Sequence, residues 1–356
     1  MDSGMSDAGL TRVADSLLDL EYSTWGFGDS VAFEAMLAAS DATGDGRYES
    51  FAHGWVRSWA TRALPYRRLD CTAPGAAMVH LARRTGDGRI VEAARGLAEY
   101  LRSRPTLEGV YLTWEHSPLM HPYGPAQLPP REAALLADPP PGVFLDCLHF
   151  DPPFLTGLGR LIGDAGLVAD GLAQARGYVR LLQREDGLFD HFRLTTSPRT
   201  YGPGWGRGQG WALLGLLDVI VEAPQSEDVA DLCRAASALV DRMIGLQRED
   251  GHWWAVVDDP ASGEEWSTAA FMAYGFSRAL EIPHLLDDGE RVRAAAGRAR
   301  SAVRAGLDAS GTLGEVSAAV MACTQPSHYA HVPRGFRVPW GQGPALLALL
   351  TDEETK

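Results

Sequence analysis

Apolar residues recur at i, i+3 and i+4 through much of the chain, as Leu158, Leu161 and Ile162 illustrate, and short polar breaks carrying Gly followed by Asp interrupt them. Three copies of this unit stand out, at Val31–Trp59, Gly75–Leu101 and Phe154–Leu182. Each predicts an apolar helix, a turn and a second, amphipathic helix. Glycine suits the C-cap of the first helix and aspartate the N-cap of the second. Two further repeats follow. LQREDGLFDH (Leu182–His191) matches LQREDGHWWA (Leu246–Ala255), and RGQGWALLGL (Arg207–Leu216) matches WGQGPALLAL (Trp340–Leu349). Helical hairpins repeated along the whole chain predict one all-α domain spanning residues 1–356, coiled as a ring or a solenoid. The aromatic and glycine-rich loops favour a closed toroid with a cleft over a plain scaffold. A proline-rich stretch at 116–142 breaks the rhythm and reads as a rim loop over that cleft.

Composition narrows the chemistry. With 46% hydrophobic and 22% charged residues the chain has the make-up of a globular protein that needs no disulfide or metal support. The net charge of −14, with no basic stripe, argues against nucleic acid as a partner. Cys71, Cys147, Cys233 and Cys323 form no CxxC pair, and no zinc, calcium, P-loop or dinucleotide pattern survives inspection, so no metal or cofactor is expected. The first residues lack a basic start followed by an apolar run, and no apolar stretch has the length of a membrane span. The expectation is a cytoplasmic protein acting on small molecules.

Candidate chemistry concentrates in VFLDCLHFDPPFLTGLGRLIGD (Val143–Asp164), where Asp146 and Asp151 precede an apolar helix. Asp146 sits between apolar residues. Burial there would raise its pKa and make it a usable general acid, although capping the helix is an equal alternative. Asp151, just before Pro152, fits a capping role. Asp70 lies at the matched place one repeat earlier, and both aspartates stand in an LDC triplet. Two carboxylates on neighbouring hairpins would face one cleft, as in glycoside chemistry. GPGWGRGQGWALLGL (Gly202–Leu216) adds Trp205, Arg207 and Trp211; indole faces suit sugar rings and a guanidinium suits a carboxylate. His191 ends the first REDG repeat at the same loop level.

On these motifs the chain resembles glycoside hydrolase families 88 and 105, the unsaturated glucuronyl and unsaturated rhamnogalacturonyl hydrolases. Leu145–Asp164 and Trp205–Trp211 carry the likeness most specifically, supported by Leu69–Asp87, Glu265–Gly275 and Gly341–Leu349. The resemblance implies an (α/α)6 barrel that hydrates the C4=C5 double bond of a 4-deoxy-4-enuronosyl residue on a small oligosaccharide. It implies Asp146 as acid/base, Asp70 as the second aspartate, and His191, Trp205, Arg207 and Trp211 around the uronate. Phe27 stands where the family often has tyrosine, and Phe150 occupies the turn after Asp146, so both join the candidate substrate contacts. Two other readings remain open: a conventional glycosidase acting on saturated glucuronides, and a carbohydrate-binding barrel without catalysis.

Overall fold

Outer and inner helices alternate along the chain. In this computed structural model, residues 7–22, 28–61, 75–113, 123, 128–225, 227–320 and 322–351 are described. Outer α1 (Asp7–Leu18) leads to inner α2 (Asp29–Thr43), outer α3 (Gly46–Ala60), inner α4 (Gly75–Thr85) and outer α5 (Gly88–Arg102). A short α6 (Pro130–Ala137) precedes inner α7 (Cys147–Ile162), outer α8 (Ala165–Leu182), inner α9 (Gly206–Glu222) and outer α10 (Ala230–Gly245). Inner α11 (Ser267–Leu280), outer α12 (Gly289–Ala305), a single turn α13 (Pro326–Tyr329) and inner α14 (Pro339–Leu350) complete the series. The inner helices pack α2 on α4, α4 on α7, α7 on α9, α9 on α11, α11 on α14, and α14 back on α2. The ring is closed, and the fold is the expected (α/α)6 barrel. The described part of the 116–142 segment is not all irregular: Pro130 opens α6 at a position that tolerates a missing N–H.

The sequence pattern explains which helices go inside. α9 is apolar or small nearly all round and is buried from Gly206 to Leu217 without a break. α12 buries only one stripe, Val292, Ala295, Ala296, Ala299, Ala302 and Val303. The Gly-Asp breaks fold as predicted. Gly44, Gly86 and Gly163 all take the left-handed conformation, and Asp45, Asp87 and Asp164 each accept a backbone N–H of the next helix.

The other repeats have one structural meaning. Both REDG segments are tight turns, closed by Gly187 N–H donating to Arg184 O and by Gly251 N–H donating to Arg248 O. Gln209 then clips the turn next to it, accepting from Phe189 N–H and donating to Phe189 O. Gln342 does the same to a third turn at Asp308–Leu313, accepting from Leu313 N–H and donating to Gly311 O. That third turn reads DASG and shares only its glycine with REDG, so likeness of sequence does not reveal it.

One expectation is corrected. Asp151 does not cap a helix; it lies inside α7, whose first residue is Cys147, and it is buried. The helix accommodates Pro152 and Pro153 in its second turn. Pro152 offers no N–H to the Leu148 carbonyl, and α9 packs against that carbonyl at Gly215.

Candidate active site

Short strands at the N-terminal ends of the inner helices bring the candidate residues together. β1 (Thr106–Leu107) and β2 (Val110–Tyr111) form one hairpin. β3 (Gly142–Phe144) pairs with β4 (Asp190–Leu194), which pairs with β5 (Thr200–Pro203). β6 (Trp254–Val256) and β7 (Asp259–Glu264) form another hairpin. Phe144 is registered against Phe192, and Leu145 N–H donates to His191 O at 2.8 Å. This register sets Asp146, two residues beyond β3, beside His191 on β4.

Asp146 is 2% exposed and occupies the N-cap position of α7 with a helical backbone, but its side chain caps nothing. Its Oδ2 lies 3.4 Å from His191 Nε2. Its Oδ1 is buried and makes no hydrogen bond among the described residues. His191 is fixed on every side. Its Nδ1 meets the Tyr329 hydroxyl at 3.1 Å, Trp205 lies across its ring at 4.3 Å between centroids, and Phe144 packs edge-on at 5.5 Å. Burial, with Cys323 and Asp146 adding to it, pushes the Tyr329 hydroxyl well above the ordinary phenol range, so it stays protonated at neutral pH.

Arg207 enters from the first turn of α9 and is wholly buried. Its Nη1 donates to Glu265 at 3.1 Å and to Ser317 Oγ at 2.7 Å, and Nη2 donates to Ala318 O at 3.0 Å. The guanidinium lies over Trp205 at 5.1 Å and Trp340 at 5.8 Å. Burial pulls Arg207 below the ordinary arginine range, and the charges of Glu265 and Asp146 pull the other way. Glu265 also accepts from the hydroxyls of Ser267, Thr268 and Ser317 and from the backbone N–H of Thr268 and Ser317.

The candidates therefore divide. Asp146, His191, Trp205 and Arg207 form one contiguous group. Trp211 and Phe150 lie a turn or more deeper, pack on each other at 5.3 Å, and are 0% and 2% exposed. Trp211 also contacts His149 and Phe271. Asp70 and Phe27 fall outside the described residues. Glu265, Ser317, Tyr329 and Trp340 are the participants that sequence reasoning did not assign. Glu265 opens the EWSTAAFMAYG motif, which was a signal for it; nothing local marked Tyr329.

The opposite half of the barrel holds a second polar feature. A cavity of about 350 Å³ runs among the inner helices, lined by Glu34, Asp41, Arg84, Asp218, Glu222 and Arg278, among others. Above it His149 is 1% exposed, with Nε2 3.5 Å from Glu34 and Nδ1 3.7 Å from Asp218, which also pairs with Arg278.

Comparison with known proteins settles the family. The model of Glycosyl Hydrolase Family 88 matches residues 11–355. The chain belongs to glycosyl hydrolase family 88. It is thus a glycoside hydrolase, of the group that contains unsaturated glucuronyl and rhamnogalacturonyl hydrolases. It is 27% identical over 354 residues to unsaturated rhamnogalacturonyl hydrolase YesR of Bacillus subtilis, covering 98% of this chain and 94% of that protein. Among solved structures, a possible GH105 family member from Salmonella enterica superposes with a TM-score of 0.81 at 18% identity, covering 99% of this chain and 95% of that one. The unsaturated glucuronyl hydrolase of Bacillus sp. GL1 superposes with a TM-score of 0.65 at 19% identity, covering 96% and 94%. These two structural likenesses speak for the fold. No helix among the described residues of this family 88 protein is long and apolar enough to cross a membrane.

Proposed function

We propose that this protein hydrates the C4=C5 double bond of a 4-deoxy-4-enuronosyl residue at the non-reducing end of a small oligosaccharide, with Asp146 as both acid and base. The observation that carries the reading is the environment of Asp146: a buried carboxyl that caps no helix, with one oxygen facing His191 and the other without a hydrogen bond among the described residues. A general acid needs an available proton-bearing oxygen held in one place. In the first step that oxygen gives its proton to C4 of the enol ether, and positive charge develops at C5. In the second, the carboxylate takes a proton from the water that attacks C5. The hemiketal so formed opens and releases the neighbouring sugar. His191 and Trp205 border the reacting group. Arg207 contributes positive charge beside Asp146 from a fixed seat on Glu265. The start of α9 and the loop before α11 bring these groups to the N-terminal ends of the inner helices, where the helix dipoles favour an anionic substrate group such as a uronate. YesR is named for action on an unsaturated rhamnogalacturonyl substrate, which makes oligosaccharides from pectin lyases the first substrates to try.

The test is the fate of the proton. Turnover of an unsaturated disaccharide in heavy water should place deuterium at C4 of the product while the ultraviolet absorbance of the double bond falls. A conventional glycosidase protonates the leaving oxygen instead and labels no ring carbon. Turnover without label at C4, or activity confined to saturated glucuronides, would replace this reading with the conventional one. Tight binding of the disaccharide with no turnover would make the barrel a carbohydrate-binding protein.

A further inference from the structure

One buried group beside the site has no part in the scheme above: the hydroxyl of Tyr329, which comes from the single turn α13, 138 residues along the chain from His191. We propose that Tyr329 is a positioning residue that fixes the tautomer of His191 and thereby decides which oxygen of Asp146 carries the catalytic proton. This rests on the reading of Asp146 as the acid.

A neutral imidazole has one N–H and one bare nitrogen. His191 presents Nε2 to Asp146 Oδ2 and Nδ1 to the Tyr329 hydroxyl, so two arrangements exist. In the first, the hydroxyl donates to Nδ1, Nε2–H donates to Oδ2, and the proton of the acid resides on Oδ1. In the second, Nδ1–H donates to the hydroxyl, and the proton of Asp146 sits on Oδ2, where the bare Nε2 holds it. Only the first leaves a reactive proton on Oδ1, the oxygen that has no hydrogen bond among the described residues.

The surroundings select the first arrangement. The Tyr329 hydroxyl has no other hydrogen-bond partner among the described residues. In the second arrangement its hydrogen would be buried without an acceptor at every stage, and once Asp146 is a carboxylate the bare Nε2 would face Oδ2; in the first, only the Oδ1 hydrogen lacks an acceptor, and only until C4 takes it. The contact is also held sterically. Gly202, at φ 69°, lies against both groups, and a Cβ there would stand 2.3 Å from the Tyr329 oxygen and 2.6 Å from His191 Cβ. Trp205 packs across the imidazole at 4.3 Å between centroids. Through the cycle the proton leaves Oδ1 for C4 and is replaced on Oδ1 from the water whose oxygen bonds to C5. One water is thereby added across the double bond, and the protons on His191 and Tyr329 do not move.

The experiment uses ¹⁵N-histidine-labelled protein, with His191 assigned by its absence in His191→Gln. The wild-type spectrum should show His191 as the Nε2–H tautomer at neutral pH; an Nδ1–H tautomer overturns the proposal without recourse to any variant. Tyr329→Phe keeps the ring and removes the hydroxyl. Its His191 signals should shift toward a tautomer mixture, and on an unsaturated uronyl disaccharide kcat should fall roughly tenfold with KM within about twofold. Unchanged His191 signals and kcat in the folded variant overturn it. Asp146→Asn run in parallel separates the two levels: turnover by Asp146→Asn removes the acid reading. An inactive Asp146→Asn beside a fully active Tyr329→Phe removes only the role of Tyr329.

Discussion

Arg207 and Glu265 meet at 3.1 Å with side-chain exposures of 0% and 1%. Removing one partner of such a pair leaves a buried, uncompensated charge, at about 3–5 kcal/mol. Arg207→Ala should therefore lose about that much stability in denaturant titrations, apart from any loss of substrate binding. The pair Arg207→Met with Glu265→Gln, which removes both charges, should recover most of it. A double variant no more stable than Arg207→Ala would mean that the hydroxyls around Glu265, and not the ion pair, hold this corner.

Asp146→Asn is expected to separate stability from activity. The side chain caps no helix, and one of its oxygens has no hydrogen bond to lose among the described residues. Its melting temperature should stay at or above that of the parent, while turnover falls roughly 100- to 10,000-fold, the range of a general acid/base group. Near-normal turnover in the folded variant would remove Asp146 from the chemistry.

Trp211 should behave as a core residue. It has no exposed surface and packs against His149, Phe150 and Phe271. Trp211→Ala should cost about 3–5 kcal/mol, as large-to-small changes at buried aromatics do. Trp211→Phe should keep the fold with KM little altered. A raised KM in the stable Phe variant would bring Trp211 back to the substrate.

His149 gives the stability a pH dependence of its own. Burial pulls its imidazole pKa down, but Glu34 and Asp218 outweigh burial, and the value ends above the ordinary one. A histidine raised on folding stabilises fully below its unfolded pKa of about 6.5 and loses that contribution as pH rises through the folded value. Parent and His149→Gln should therefore differ most in melting temperature near pH 6, and the gap should narrow steadily toward pH 9. A gap that is constant or widens across this window would show that His149 is buried neutral.

The sequence exposed the hairpins because their signals are local. Gly44–Asp45, Gly86–Asp87 and Gly163–Asp164 announce a left-handed C-cap and an N-cap in adjacent letters. The Gln209 and Gln342 repeats mark one recurring clip between a turn and an inner helix. The candidate site was legible in part, since Asp146, His191, Trp205 and Arg207 lie in two motifs that β3 and β4 draw together. Its supporting groups were not. Tyr329 meets His191 across 138 residues, and Ser317 meets Arg207 across 110, so no spacing rule connects them. Trp211 and Phe150, candidate substrate contacts by sequence, are buried against each other, because an aromatic in the first turns of a helix looks the same from sequence whether it faces a ligand or a neighbouring helix. Asp151 was misread because Asp-Pro ordinarily marks a helix start, and here α7 begins one turn earlier.

The ring closes where α14 packs on α2, and it is tied to α1 by Gln342 Nε2 donating to Ser16 Oγ and by Arg337 Nη2 donating to Ser16 O. A nascent chain thus cannot seal the barrel until α14 has left the ribosome. Before then α2 and α11 each present an apolar flank with no neighbour, and the clip on the Asp308–Leu313 turn has no glutamine. Low-order helical hairpins can form early during synthesis, but the last joint ties the first inner helix to the last and pays its loop-closure entropy late. Chains truncated before α14 should therefore accumulate as sticky, partly ordered intermediates that draw chaperones and proteases.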